Sequence, residues 1–197
     1  MRLEIALFLI LLTGCDSASK PAGQAQPTAP AVVGNDNRAD IGLESASGMR
    51  ATLSYKFAGR QAPETPFTGA DGRDVTLADF GGRPLLVNIW ATWCAPCKAE
   101  MPTLDALAEL EEGRVSVIAV SQDLAGRKPV RAFFDKAKIA NLEPFTDADN
   151  ALLTAFGNNI ALPTTVLYDS EGREIWRVIG GVEWDDAEMA KLLREAG

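Results

Sequence analysis

The chain contains no histidine, and only three of its 197 residues are cysteine. Without an imidazole, Ser-His-Asp and Cys-His catalysis are excluded. Most zinc and copper sites go with them, because two neighbouring cysteines cannot close a four-ligand sphere alone. Positive charge is also short. Lys and Arg number 19 against 27 Asp and Glu, a net charge of −8, which argues against nucleic acid as a partner. The apolar run at 5–12, Ile-Ala-Leu-Phe-Leu-Ile-Leu-Leu, is far too short to cross a bilayer, which takes about 20 residues. No internal repeat is visible. What remains is a chain with 47% hydrophobic residues, enough for one ordinary domain with a real core and some extra length.

The first residues carry an address. Arg2 followed by the apolar run suits the hydrophobic region of a secretory signal. Leu12-Thr13-Gly14-Cys15 follows directly and resembles the lipobox of bacterial lipoproteins. The resemblance implies cleavage before Cys15, with lipid on its sulfur and its new amino group; several acyl chains give stable anchoring. Asp16 resembles the inner-membrane retention signal of enterobacterial lipoproteins. Residues 16–60 are rich in Ala, Gly, Ser, Pro and Gln, with Pro21, Pro27 and Pro30 interrupting. They read as a flexible tether, with a short local strand at 49–57. The expected organisation is a signal peptide at 1–14, a lipidated Cys15 and linker at 15–60, and one domain at 61–197.

From residue 61 the pattern is globular. Asp71-Gly72 between Phe67 and Val75-Thr76-Leu77 predicts a β-hairpin. Buried-type strands are expected at 85–90 and 115–120. A helix over 96–112 places Met101, Leu104, Leu107 and Ala108 on one face. Pro129 opens a helix to about 138 that buries Val130, Phe133 and Phe134. A further helix over 149–156 stops at Gly157. Strands at 164–168 and 174–179 flank the turn Asp169-Ser170-Glu171-Gly172, and 184–196 reads as a closing helix. Apolar strands joined through helices imply a parallel pair, and the late hairpin adds antiparallel strands. The fold class is therefore α/β, a mixed sheet flanked by helices.

The chemistry lies in Trp93-Cys94-Ala95-Pro96-Cys97, where the strand at 85–90 gives way to the helix. Two thiols two residues apart at such a junction are the working parts of a dithiol–disulfide exchanger. The helix N-terminus offers free N–H groups and a positive dipole end, both favouring a thiolate at Cys94. Cys94 precedes the helix and is expected to be the exposed nucleophile; Cys97 falls inside the first turn and should be more buried. Cys94 would attack a partner disulfide, and Cys97 would resolve the mixed disulfide. Pro96 suits the first helical turn. An isolated C-x-x-C is otherwise half of a zinc site, but the domain has no third ligand of that type.

The stretch from Val87 through Trp93-Cys94-Ala95-Pro96-Cys97 to Pro102, with Leu162-Pro163-Thr164-Thr165 and Gly180-Gly181-Val182-Glu183-Trp184, resembles the thioredoxin superfamily, in its TlpA/ResA-like branch of membrane-anchored thiol–disulfide proteins. The likeness covers about residues 63–197. It implies a thioredoxin fold with a helix-and-strand insertion after the second core strand, at about 121–156. It implies that Pro163 is a cis proline facing the cysteines and that Leu162 offers its backbone to an incoming peptide. The family places a glutamate near the sulfurs at Glu100, tuning their protonation; on spacing alone Glu100 is a solvated surface residue. Asn88 stands where cytoplasmic thioredoxins carry an aspartate, which shifts any proton relay towards Glu100. Pro102 resembles the family's helix kink; by itself it could equally start a second helix. Trp93 would shield the disulfide and, with Pro96 and Leu162, meet substrate. Trp90 reads as core and Lys98 as solvated.

The resemblance implies a periplasmic reductant of protein disulfides, lipid-anchored at the bacterial inner membrane and needing neither cofactor nor metal. It would be recharged by a membrane electron donor of the CcdA/DsbD type. The expected partners are apocytochromes c or copper-site proteins of cytochrome oxidase assembly. Two alternatives stand beside it. Asp79-Phe80-Gly81-Gly82-Arg83-Pro84 also leads into peroxiredoxin-like thiol peroxidases, but Thr92-Trp93-Cys94 lacks their pattern around the peroxidatic cysteine. A copper-binding chaperone of the Sco type would space its cysteines three apart and add a histidine; neither condition is met.

Overall fold

The computed structural model describes residues 38–157 and 160–196. The expected signal at 1–14, the lipidation of Cys15 and the role of Asp16 fall outside the described residues. Among these, no helix is long and apolar enough to cross a membrane.

Nine strands form one mixed sheet. Two come first, β1 (Ile41–Glu44) and β2 (Arg50–Ser54). Residues 41–54, expected as part of a tether reaching residue 60, thus carry two strands, and the strand expected at 49–57 is not local. β2 pairs antiparallel with β9 (Glu174–Gly180), joining Ala51 to Gly180 and Ser54 to Arg177. The signal was present in the alternation: Ala51, Leu53 and Tyr55 are all buried. Gly180 makes this pairing possible. Its φ is +110°, and a Cβ there would lie 2.8 Å from the Ala51 Cα, so only glycine fits.

The hairpin expected around Asp71-Gly72 is β3 (Phe67–Thr68) and β4 (Asp74–Val75), with Gly72 at φ +92° in its turn. A short 3-10 turn, Leu77–Phe80, follows, held by a capping box between Thr76 and Asp79.

β5 (Leu85–Trp90) is the central strand, every residue buried. It runs parallel to β6 (Ser116–Ser121) and antiparallel to β8 (Thr164–Tyr168). Pleating divides its side chains. Leu86 and Trp90 enter one core with α1 (Ala95–Leu110), α2 (Arg127–Ala137) and α4 (Ala187–Leu193). Leu85, Val87 and Ile89 enter the other, with α3 (Ala151–Phe156). In the first core Trp90 stacks on Phe134, ring centroids 5.7 Å apart, as a core residue should. The expected insertion after the second core strand is α2, β7 (Phe145–Thr146) and α3; β7 extends the sheet beside β6 and binds β3.

Helix boundaries moved where a carboxylate decided them. α3 starts at Ala151 because Asp147 accepts the N–H groups of Ala151, Leu152 and Leu153. The closing helix starts at Ala187, three residues later than expected, because Asp186 caps it through the Glu188 N–H; its last turn is 3-10. Trp184 lies outside that helix, buried, with its N–H on Thr103 Oγ1 at 3.1 Å. Pro102 neither ends α1 nor starts another helix: α1 runs through it.

Candidate active site

β5 delivers its chain from the core to one end of the sheet, and α1 begins five residues after its last residue. Cys94 is the residue that caps α1: its backbone is extended, and its Sγ accepts the Cys97 N–H at 3.3 Å. One helix turn closes the geometry, and Cys94 and Cys97 form a disulfide with Cα atoms 5.3 Å apart. The expected asymmetry holds in direction but not in degree. Cys97 is fully buried, while Cys94 is only 7% exposed. The capping position folds its sulfur over the first turn, so Cys94 is the accessible partner of the two without being open. Ala95, Pro96 and Lys98 are exposed around it. Trp93 was expected to shield the disulfide; it stands 67% exposed.

The Leu162–Pro163 peptide bond is cis. β8 pairs Thr164 with Ile89, so Leu162 and Pro163 lie level with the end of β5 that feeds the cysteines. Pro163 C=O accepts the Gly180 N–H at 2.9 Å, and the main chain of Leu162 takes no hydrogen bond among the described residues. The next residue on β9's side, Gly181, abuts the redox turn: a Cβ on it would sit 3.4 Å from the Pro96 Cβ. Pro96, Leu162 and Pro163 are thus drawn to one end of the sheet with the disulfide.

Glu100 departs most from the reading by spacing. It is fully buried, one turn after Cys97 on the same face of α1, where i and i+3 side chains are neighbours. Its Oε1 accepts from Asn88 Nδ2 at 2.7 Å and its Oε2 from the Val182 N–H at 3.1 Å. Burial drives its pKa up to about 8, against the weaker downward pull of the Val182 N–H, the Asn88 amide and the Trp184 side chain. Asn88 occupies the α1-facing side of β5 and also donates to Thr165 Oγ1 at 2.9 Å. Its own Oδ1 is buried without a partner among the described residues. A buried acid of raised pKa, one turn from a cysteine, can exchange a proton with a thiol whose ordinary pKa is about 8.5.

Two further buried carboxylates were not singled out from sequence. Asp123, at the end of β6, accepts the Thr92 N–H at 2.9 Å and the Thr92 hydroxyl at 2.5 Å. Asp105, on α1, accepts the N–H groups of Ala140, Asn141 and Leu142. Aspartates facing loop N–H groups across the sequence leave no local signature.

A dithiol–disulfide pair capping the first helix of a thioredoxin fold, with a cis proline level with it, defines the class of thiol–disulfide oxidoreductases. The comparisons agree. The Redoxin family pattern matches residues 57–193, and the chain belongs to that family, as a ResA/TlpA-like member of the thioredoxin superfamily. It is 32% identical over 126 residues to thiol-disulfide oxidoreductase ResA of Bacillus thuringiensis subsp. konkukian, covering 62% of this chain and 69% of that protein. It is 34% identical over 116 residues to the thioredoxin-like protein YneN of Bacillus subtilis, covering 58% and 66%. A Chlorobium tepidum structure assigned as thiol:disulfide interchange protein DsbE superposes with a TM-score of 0.62 at 22% identity, covering 71% of this chain and 96% of that one. At that identity it speaks for the fold.

Proposed function

We propose that the protein works outside the cytoplasm as a lipid-anchored reductant of protein disulfides. The anchor reading rests on Cys15 directly after the apolar run. The observation that supports the direction is the buried Glu100 beside the pair. The start of α1 and the solvated Lys98 are what favour a thiolate at Cys94; Ala95 and Pro96, between the cysteines, add no positive charge. Once ionised, the Glu100 carboxylate in the same low-dielectric space disfavours thiolate charge further. A dithiol with poorly stabilised thiolates gives up its electrons readily, the opposite of a strong oxidant whose reduced form is stabilised.

In the cycle this implies, the Cys94 thiolate attacks a partner disulfide, and one partner sulfur leaves as a thiolate. In its ionised form Glu100 takes the proton of the Cys97 thiol and later hands it to the departing partner sulfur. The Cys97 sulfur then attacks Cys94, forming the intramolecular disulfide and releasing the second partner sulfur. Two electrons have moved from the pair to the partner, and a membrane donor of the CcdA/DsbD type returns them. The partners proposed are apocytochromes c or copper-site proteins of cytochrome oxidase assembly.

The test is the midpoint potential of the Cys94–Cys97 couple, expected below about −200 mV. A value near that of DsbA, about −120 mV, reverses the direction. The partners are read by trapping: Cys97→Ser, made in the native cell, holds its target as a mixed disulfide on Cys94, identified by mass spectrometry.

A further inference from the structure

Residues 180–184, which lead out of β9, run past the buried carboxyl of Glu100 and are held at both ends. At one end the Gly180 N–H bonds the Pro163 carbonyl at 2.9 Å. At the other the Trp184 N–H bonds Thr103 Oγ1 at 3.1 Å. The Thr103 hydroxyl in turn donates to the Glu100 carbonyl at 2.8 Å, so Trp184 is latched to the same turn of α1 that carries the acid. Between these two anchors the Val182 N–H meets Glu100 Oε2 at 3.1 Å.

Trp184 itself is buried and packs in the core with Met101 and Leu104. Its indole N–H is buried too and completes no hydrogen bond among the described residues. An orphaned buried donor is unfavourable and calls for a reason. This one stands near enough to Glu100 to lower its proton affinity, beside the Val182 N–H and the Asn88 amide. Among the described residues no charged side chain of any element packed against Glu100 adds to that balance. Asn88 on β5 and Thr165 on β8 are neutral, and Glu183, between Val182 and Trp184, is partly exposed and does not contribute. The titratable neighbours on α1 are the two cysteines, here bridged. With a pKa of about 8, Glu100 is mostly protonated near neutrality. A neutral acid draws a donor less strongly than a carboxylate does.

We propose that the Trp184 indole N–H is a reserve donor for the Glu100 carboxylate, closing on it when the acid loses its proton, and that Thr103 is the residue that positions it. The segment is fixed beforehand at both ends, so the donor waits where the charge will appear and little has to reorganise. In the exchange cycle that is the moment before the Cys97 thiol gives up its proton. Glu100 must be ionised to take it, and the indole N–H brings the ionised form closer to neutral pH. The inference rests on Glu100 as the proton carrier and deepens that reading.

The test follows the indole N–H resonances by NMR in the oxidised full chain, where the bridged cysteines cannot titrate. As pH rises through the Glu100 titration, the Trp184 resonance, assigned through its main chain, moves downfield, the mark of a strengthening hydrogen bond. In Glu100→Gln it stays flat. Trp184→Phe keeps a ring in the core and loses the N–H. In that variant, reduced, the inflection that Glu100 imposes on Cys94 alkylation moves up by about half a pH unit to one unit. Thr103→Val moves it the same way, and Thr103→Ser, which keeps the hydroxyl, leaves it in place. A Trp184 resonance indifferent to pH while the Glu100 carboxyl carbon titrates overturns the reserve donor and leaves Glu100 as proton carrier. So does an unmoved inflection in a folded Trp184→Phe. A Glu100 carboxyl carbon that does not titrate in this range sinks both. If Trp184→Phe does not fold, the resonance in the unmodified chain decides alone.

Discussion

Glu100 and Asp105 sit five residues apart on α1, and both are buried, yet the structure uses them differently. Asp105 reaches across to the loop after α2, where three successive main-chain N–H groups and the Asn141 amide converge on it. It fastens one element to another. Glu100 receives one main-chain N–H and one amide, too few to offset its burial, and its proton affinity rises. The number of donors aimed at a buried carboxyl separates an anchor from a proton carrier.

The contrast breaks most visibly with pH. With its pKa near 8 in the fold and about 4.3 when unfolded, Glu100 binds more proton in the folded state across that window. Its contribution is therefore fully present below about pH 4 and falls as pH rises through about 8, by about 1.4 kcal/mol per pH unit. Glu100→Gln removes this slope. Denaturant unfolding of the oxidised protein from pH 5 to 9 should show the variant gaining on the parent as pH rises. Parallel curves would mean that the carboxyl is not held as described.

A smaller effect is expected of the anchor. Asp105→Ala strands the buried Leu142 N–H and leaves those of Ala140 and Asn141 to water. Thermal unfolding should record a loss of about 2 kcal/mol, whereas the pH profile of Cys94 alkylation keeps its shape. A changed profile would make Asp105 part of the redox chemistry after all.

The finest test removes a donor. Asn88→Ala takes away one of the two hydrogen bonds to Glu100, so the affinity for the proton rises further. The inflection that Glu100 imposes on Cys94 alkylation should move up by about half a pH unit to one unit. A downward move would show that the amide serves the neutral acid better than the charged one.

Much of this was legible before the structure because its signals are local. The strand-to-helix junction, the C-x-x-C pair, the Asp71-Gly72 hairpin and the 164–168 strand each announce themselves within a few residues. β2 was announced only as a local strand, because its partner β9 lies more than a hundred residues away; β1, which pairs with β2 alone, was missed because its neighbours look like tether. Glu100 was misread on spacing since glutamate favours surfaces. The correcting clue was its place in the stripe Cys97, Glu100, Met101, Leu104 and Leu107, all buried. Asp105 and Asp123 had no clue of this kind, as both act on main-chain donors that only the folded chain brings near.

Pro102 carries a last consequence. Lacking an N–H, it leaves the carbonyl of Lys98 without the partner that a regular helix would give it. α1 is thus notched one turn beyond the sulfurs, on a rod otherwise rooted in the core by Leu104 and Leu107. The turn that bears the cysteines is therefore joined to the rooted length of α1 by one main-chain bond fewer than a regular helix would supply.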